Sequence, residues 1–262
     1  MKHNFKVFLA LFNMSLKQLL ENRFNTFGQI SSGLLNIFIT LIFIEIFFSL
    51  TKNILGWTKF EVFFLAGVFR IISSLFQFLV VRGVNRLPTI IQKGELDGFL
   101  TRPVNSQLLL TIHFMRVYEL IPALSGIVII WYALQQGNFQ TSIVGFLGLF
   151  LSLILGFLIL YGIYFSVATL TIFTGRFQTL PELYQMIRQP LNFPTDILGQ
   201  RAGLILTYVL PLAFVITIPV KIFFEKIPFY FLGIAAVFAV FSLGFSTWFW
   251  NFALKHYTSA SS

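Results

Sequence analysis

A chain of 262 residues with 57% hydrophobic and 10% charged side chains, and a mean hydropathy of +0.85, lies outside the range of soluble domains, which carry roughly 25% charged residues. The formal net charge is +9, but the basic residues flank apolar runs and form no stripe, so the charge points to orientation in a membrane and away from nucleic acid. Cysteine is absent, which excludes disulfides and thiol chemistry without fixing a compartment.

Residues 1–28 read as a cytoplasmic amphipathic arm. Phe5, Phe8, Leu9, Phe12, Leu16, Leu19 and Leu20 fall on one helical face, and Lys6, Asn13, Lys17 and Glu21 fall elsewhere. Such a helix lies in the headgroup layer with its cations near anionic lipid. The apolar run Val7–Phe12 is too short for a signal peptide, and no small-residue cleavage site follows it.

Six apolar runs then occupy residues 29–254. Each approaches the ~20 residues that a helix needs to cross a hydrocarbon core about 30 Å thick. Helices are expected because each satisfies its own backbone hydrogen bonds in lipid. The expected fold class is thus an all-α polytopic membrane protein with six transmembrane helices. The spans fall at about Gln29–Leu50, Phe60–Val81, Leu108–Leu134, Ser142–Phe173, Ala202–Val220 and Pro228–Leu254. Between them lie a polar segment at 82–105, an inner-surface segment at 174–200 and three short outer loops, and the tail is 255–262. This layout puts twelve Lys and Arg on the side of the termini and four on the other, so both termini and both long polar segments are expected in the cytoplasm.

Individual residues add constraints. Glu45 and Arg70 are the charges deepest in apolar sequence and must be paired or face a polar cavity. Their depths differ by about 8 Å, a gap that arginine can span, so the readings are a structural ion pair, a lining of a substrate route, or a snorkelling Arg70. Arg116 and Glu119, three apart, share a helical face. Gly145, Gly148, Gly156 and Gly162 permit close packing of the fourth span. Pro211 is expected to kink the fifth span and is a possible hinge. Thr179 and Glu182 fit a capping box that opens a short helix on the inner surface. Pro88 can begin a short helix in the first polar segment, and Gly94 or Gly98 can end one. No phosphate-binding G-x-x-x-x-G-K-[ST] loop occurs. His3, His113 and His256 make no metal-ligand spacing, and no catalytic set stands out.

The run from Gly94 to Asn105, GELDGFLTRPVN, resembles the G-x-L-D-x-x-L-x-[RK]-P motif of type-2 ABC transporter permeases. A second element, Phe193-Pro194 followed by Tyr208–Phe214 and Pro219, resembles the family's pattern through its fifth span. The resemblance implies a half-size membrane subunit of an ABC exporter in a prokaryotic cell membrane. Two such subunits, identical or paralogous, would pair with two separate ATPase subunits that bind ATP and Mg; this chain itself would bind no cofactor or metal and be no enzyme. The coupling contact to the ATPase would use Gly94, Glu95, Leu96, Asp97, Phe99, Leu100, Arg102 and Pro103, with Leu96 and Phe99 forming an apolar edge toward the partner. Spans 1 and 5 would form much of the interface between subunits. The Phe-rich surface, from 35 Phe, favours an apolar or amphipathic substrate such as a drug, peptide or lipid-like molecule. In one respect the chain departs from the family: only about seven residues separate Pro219 from Pro228, too few for the helical return that often precedes the last span. The alternative is a self-contained secondary transporter or channel, which needs ion-pathway groups at mid-membrane that only Glu45 and Arg70 approach.

Overall fold

The computed structural model describes residues 12–17, 23–51, 53–139, 142–174 and 179–257. Most of the amphipathic arm therefore lies outside the described residues. Among those described, the architecture is all-α, and the sole extended pairing is an isolated bridge between Ile54 and Trp57. Among the described residues, five helical stretches are long and apolar enough to cross a membrane: Ile30–Ser49, Lys59–Gln92, Val117–Gln136, Ile143–Thr174 and Tyr230–Leu254. Each falls within a few residues of an expected span, apart from the broken start of the third and the extension of the second.

The helices used below are α1 (Arg23–Ser49), α2 (Lys59–Phe76), α3 (Leu87–Gln92), α4 (Leu96–Leu100), α5 (Ser106–Ile112), α6 (Ile121–Gln136), α7 (Ile143–Thr169), α8 (Leu180–Arg188), α9 (Gln200–Leu204), α10 (Thr217–Phe223) and α11 (Tyr230–Leu254). The two ends of the bundle are named here by Trp57 and Leu96. Helix α2 opens at the Trp57 end with a capping box in which the Thr58 N–H donates to Glu61 Oε2 at 2.7 Å. It continues past Phe76 through one π turn, Gln77–Val81, toward the Leu96 end. Helix α7 starts where Ser142 Oγ accepts the Gly145 N–H at 2.9 Å. The glycines of α7 pack as their spacing suggests. A Cβ on Gly162 would sit 2.5 Å from the Ser242 carbonyl oxygen of α11, and one on Gly156 would sit 2.5 Å from that of Phe214.

The third crossing is not one helix from Leu108. It is α5, an irregular stretch at His113–Arg116, the 3-10 turn Val117–Leu120, then α6, with Pro122 in its first turn. Arg116 is extended (φ −137°, ψ 115°), so the helical face it was expected to share with Glu119 does not exist. Arg116 donates instead to the Tyr118 hydroxyl at 3.2 Å, and Glu119 pairs with Arg82.

The fifth crossing is displaced by about twenty residues from its expected place. The stretch expected on the inner surface runs the length of the bundle. Leu180 lies beside Tyr164, Tyr184 stacks on Phe76, Arg188 lies over the Phe69 ring, Phe193 meets Phe43, and Asp196 reaches Trp57. Helix α8, two 3-10 turns and the extended Phe193-Pro194 between them reach roughly 35 Å if collinear, enough to cross. Thr179 makes no capping hydrogen bond, and Pro181 in the first turn starts α8 instead.

The apolar stretch read as the fifth span is a re-entrant hairpin. Gly199, with φ +88°, turns the chain at the Trp57 end. Helix α9 and the π turn Ile205–Val209 descend to the level of Gly162 and Ser166 on α7. The chain reverses at Leu210-Pro211 and climbs back along α7 through Phe214, beside Gly156, to Ile222, beside Gly148. Pro211 is thus the tip of a reversal and not a kink in a continuous helix. A helical return does precede the last crossing, contrary to the seven-residue gap expected. The correction moves Arg188 into a crossing and Arg201 to the Trp57 end, so the basic bias becomes ten against five and keeps its sign.

Candidate coupling segment and intramembrane charges

The segment 82–105 folds as two short helices on a packed base. Pro88 lies in the first turn of α3, as its position suggests. Helix α3 ends at Gly94, which has φ +68°. The Gly94 N–H donates to the Ile91 carbonyl at 3.1 Å and the Glu95 N–H to the Ile90 carbonyl at 2.9 Å, the paired bonds of a Schellman turn. That turn requires the left-handed conformation that glycine adopts without a Cβ penalty.

The next helix faces the opposite way from the one expected. Leu96 is 0% exposed and Phe99 8%, both inside the main apolar core. They anchor the segment to the bundle and offer no edge to a partner. The exposed face is formed by Glu95, Gly98, Leu100, Arg102 and Pro103, while Asp97 is half-buried. A Cβ on Gly98 would meet nothing within 4 Å. His113 packs edge-on against Phe99 and Phe114, with ring centroids at 5.3 and 4.8 Å.

The segment is braced to the third and fourth crossings. Arg82 donates through Nε to Glu119 Oε1 at 2.7 Å and through Nη2 to the Tyr118 hydroxyl at 2.6 Å. Glu119 is buried, so the charge-assisted bond replaces its lost hydration. The Tyr164 hydroxyl donates to Asn85 Oδ1, tying the same region to α7.

Of the readings open for the intramembrane charges, the ion pair between Glu45 and Arg70 is not formed. Glu45 binds Lys59 Nζ at 3.0 Å near the Trp57 end. Arg70 donates to Thr40 Oγ1 at 3.2 Å and lines a cavity that also holds Arg188. Loop 53–58 and the hairpin are joined at the Trp57 end. Asp196 accepts from Trp57 Nε1 at 2.9 Å and pairs with Lys221 at 2.8 Å, and Lys226 pairs with Glu61 at 2.6 Å. A cavity of about 790 Å³ opens between the two arms of the hairpin, lined by Thr207, Tyr208, Thr217 and Lys221 among others.

Arg188 and Asp196 were missed as site residues because their stretch was read as a surface segment. The clustering of Arg188, Asn192 and Asp196 at four-residue spacing was the available signal. A comparison with curated proteins finds no match. Among the described residues the fold comprises six crossings, a re-entrant return before the last of them and a braced polar segment between the second and third. Residues 34–261 match the family described as ABC-2 family transporter protein, and the chain belongs to that family.

Proposed function

We propose that this chain is the membrane permease subunit of an ATP-driven ABC exporter. It pairs with a second permease copy or a paralogue, and separate ATPase subunits carry the ATP and Mg. The polar segment and both termini face the cytoplasm, and the cargo is apolar or amphipathic. The observation that carries this reading is the exposed face of the family-like motif, Glu95, Gly98, Leu100, Arg102 and Pro103, held on a buried base of Leu96 and Phe99. A contact surface that is rigidly seated and mixed in charge suits orientation of a partner. The brace from Arg82 to Glu119 supports transmission of a push there into the second and third crossings.

The test exploits the open space at Gly98. Gly98→Trp adds bulk on the exposed face without touching the core. The tagged chain is purified from its native membrane, and co-purified ATPase is measured. Wild type and Gly98→Ala bring down an ATPase, and Gly98→Trp loses it while inserting normally. If wild type recovers no ATPase, or Gly98→Trp recovers as much as wild type, the coupling reading fails.

A further inference from the structure

Arg70 and Arg188 put two cations into one cavity within the crossings. The cavity holds about 270 Å³, and its polar lining beyond the arginines is Asn36, Thr40 and Asn192, with no carboxylate. Among the described residues neither guanidinium forms an ion pair. Arg70 has one side-chain bond, to Thr40, and Arg188 Nε is buried without a hydrogen-bond partner. Two half-buried like charges within a crossing are costly unless an anion joins them. Guanidinium is also the group best shaped to bind phosphate or carboxylate through paired donors.

A second cavity, of about 210 Å³, continues the first toward the Trp57 end. The two share Phe43, Ile44 and Phe193, and the second is walled only by apolar side chains, including Phe47, Ile54 and Leu198. One end of the combined space therefore suits an anion and the other a hydrocarbon chain. We infer that crossings 1, 2 and 5 form a binding site for an anionic amphiphile, its phosphate or carboxylate head held by Arg70 and Arg188 and its tail lying in the apolar cavity against Phe43 and Phe193. A role of this ligand as cargo rests on the proposed transport function; its binding does not.

The full-length chain in phosphatidylcholine nanodiscs is titrated with radiolabelled dodecyl phosphate and, separately, dodecyltrimethylammonium, with protein-free discs as background. Dodecyl phosphate should bind saturably and the cation should not. Arg70→Gln and Arg188→Gln should each weaken dodecyl phosphate by about tenfold or more, as expected for loss of a charge-assisted bond. Arg70→Lys and Arg188→Lys, which keep the charge but lose the planar fork, should fall between. Competition by added phosphatidylglycerol identifies the occupant as a bilayer lipid, and its absence identifies a separate amphiphile; both support the site. Equal binding of the two head groups by wild type overturns it, and this arm stands even if a glutamine variant fails to fold. Unchanged dodecyl phosphate binding in well-folded glutamine variants overturns it as well. Either failure leaves the result at Gly98 intact, and loss of ATPase association leaves this binding measurement intact.

Discussion

The pair formed by α7 and α11 and the pair formed by the fifth crossing and its return solve the same problem by different means. Helices α7 and α11 run unbroken for 27 and 25 residues and meet through small side chains, with Gly162 against Ser242. The fifth crossing keeps α-helix for nine residues, and the return holds two short helices around a reversal. Besides their apolar side chains, polar groups join them. The Thr195 N–H donates to Thr217 Oγ1 at 3.2 Å, and Asp196 joins Lys221 and Trp57. An unbroken helix carries its backbone hydrogen bonds into lipid, so close packing suffices to hold it. A broken backbone must find donors and acceptors elsewhere, so polar side chains gather at the breaks.

That contrast can be broken by substitution, with thermal retention of the folded chain in detergent as the measurement. Gly162→Leu should have the largest effect, because its side chain would enter the Ser242 backbone; overpacking here should cost about 3 kcal/mol or more. Gly233→Leu on α11, where a Cβ meets nothing within 4 Å, is the matched control and should be silent. If both are tolerated, close packing does not hold the pair. Asp196→Ala should come next, at about 2 kcal/mol, since it removes the counter-ion of Lys221 and the acceptor of Trp57 at a partly exposed site. Retention equal to wild type would mean that the contacts of Asp196 do not hold the Trp57 end. Thr217→Val should be smallest, at about 1 kcal/mol, because it leaves the buried Thr195 N–H without an acceptor while keeping the side-chain shape. A loss there larger than at Asp196 would reverse the ranking and put the backbone-to-side-chain bond ahead of the ion pair in holding the return.

The same contrast explains what could be read in advance. The first, second, fourth and sixth crossings were legible because lipid selects long apolar helices, and hydropathy measures that selection directly. The fifth was not, because Glu182, Gln185, Arg188, Gln189, Asn192 and Asp196 belong to a stretch that packs along the bundle, where polarity is tolerated. The return took its place in the reading because Leu204–Phe214 is as apolar as a true span. In the segment 82–105 the short helices and the glycine stop were visible in Pro88 and Gly94. The facing of Leu96 was not, since an apolar residue amid charges fits a partner contact and a core anchor equally well. Only the packing of the crossings around it decides between them. Likewise, a pairing of Glu45 with Arg70 could not be judged from spacing, because Lys59 and Arg188 enter their surroundings from elements whose positions the spacing did not fix.

The reversal at Leu210-Pro211 has a consequence for sidedness. A hairpin that enters and leaves through one face adds length but no parity. Gly199 and Lys226 therefore share a compartment although some two dozen mostly apolar residues separate them. Counting hydrophobic segments in this chain gives six whether the return or the true fifth crossing is counted, and seven if both are. An odd total would put the start of α1 and the end of α11 at opposite ends of the bundle, whereas the path of the backbone returns them to the same one.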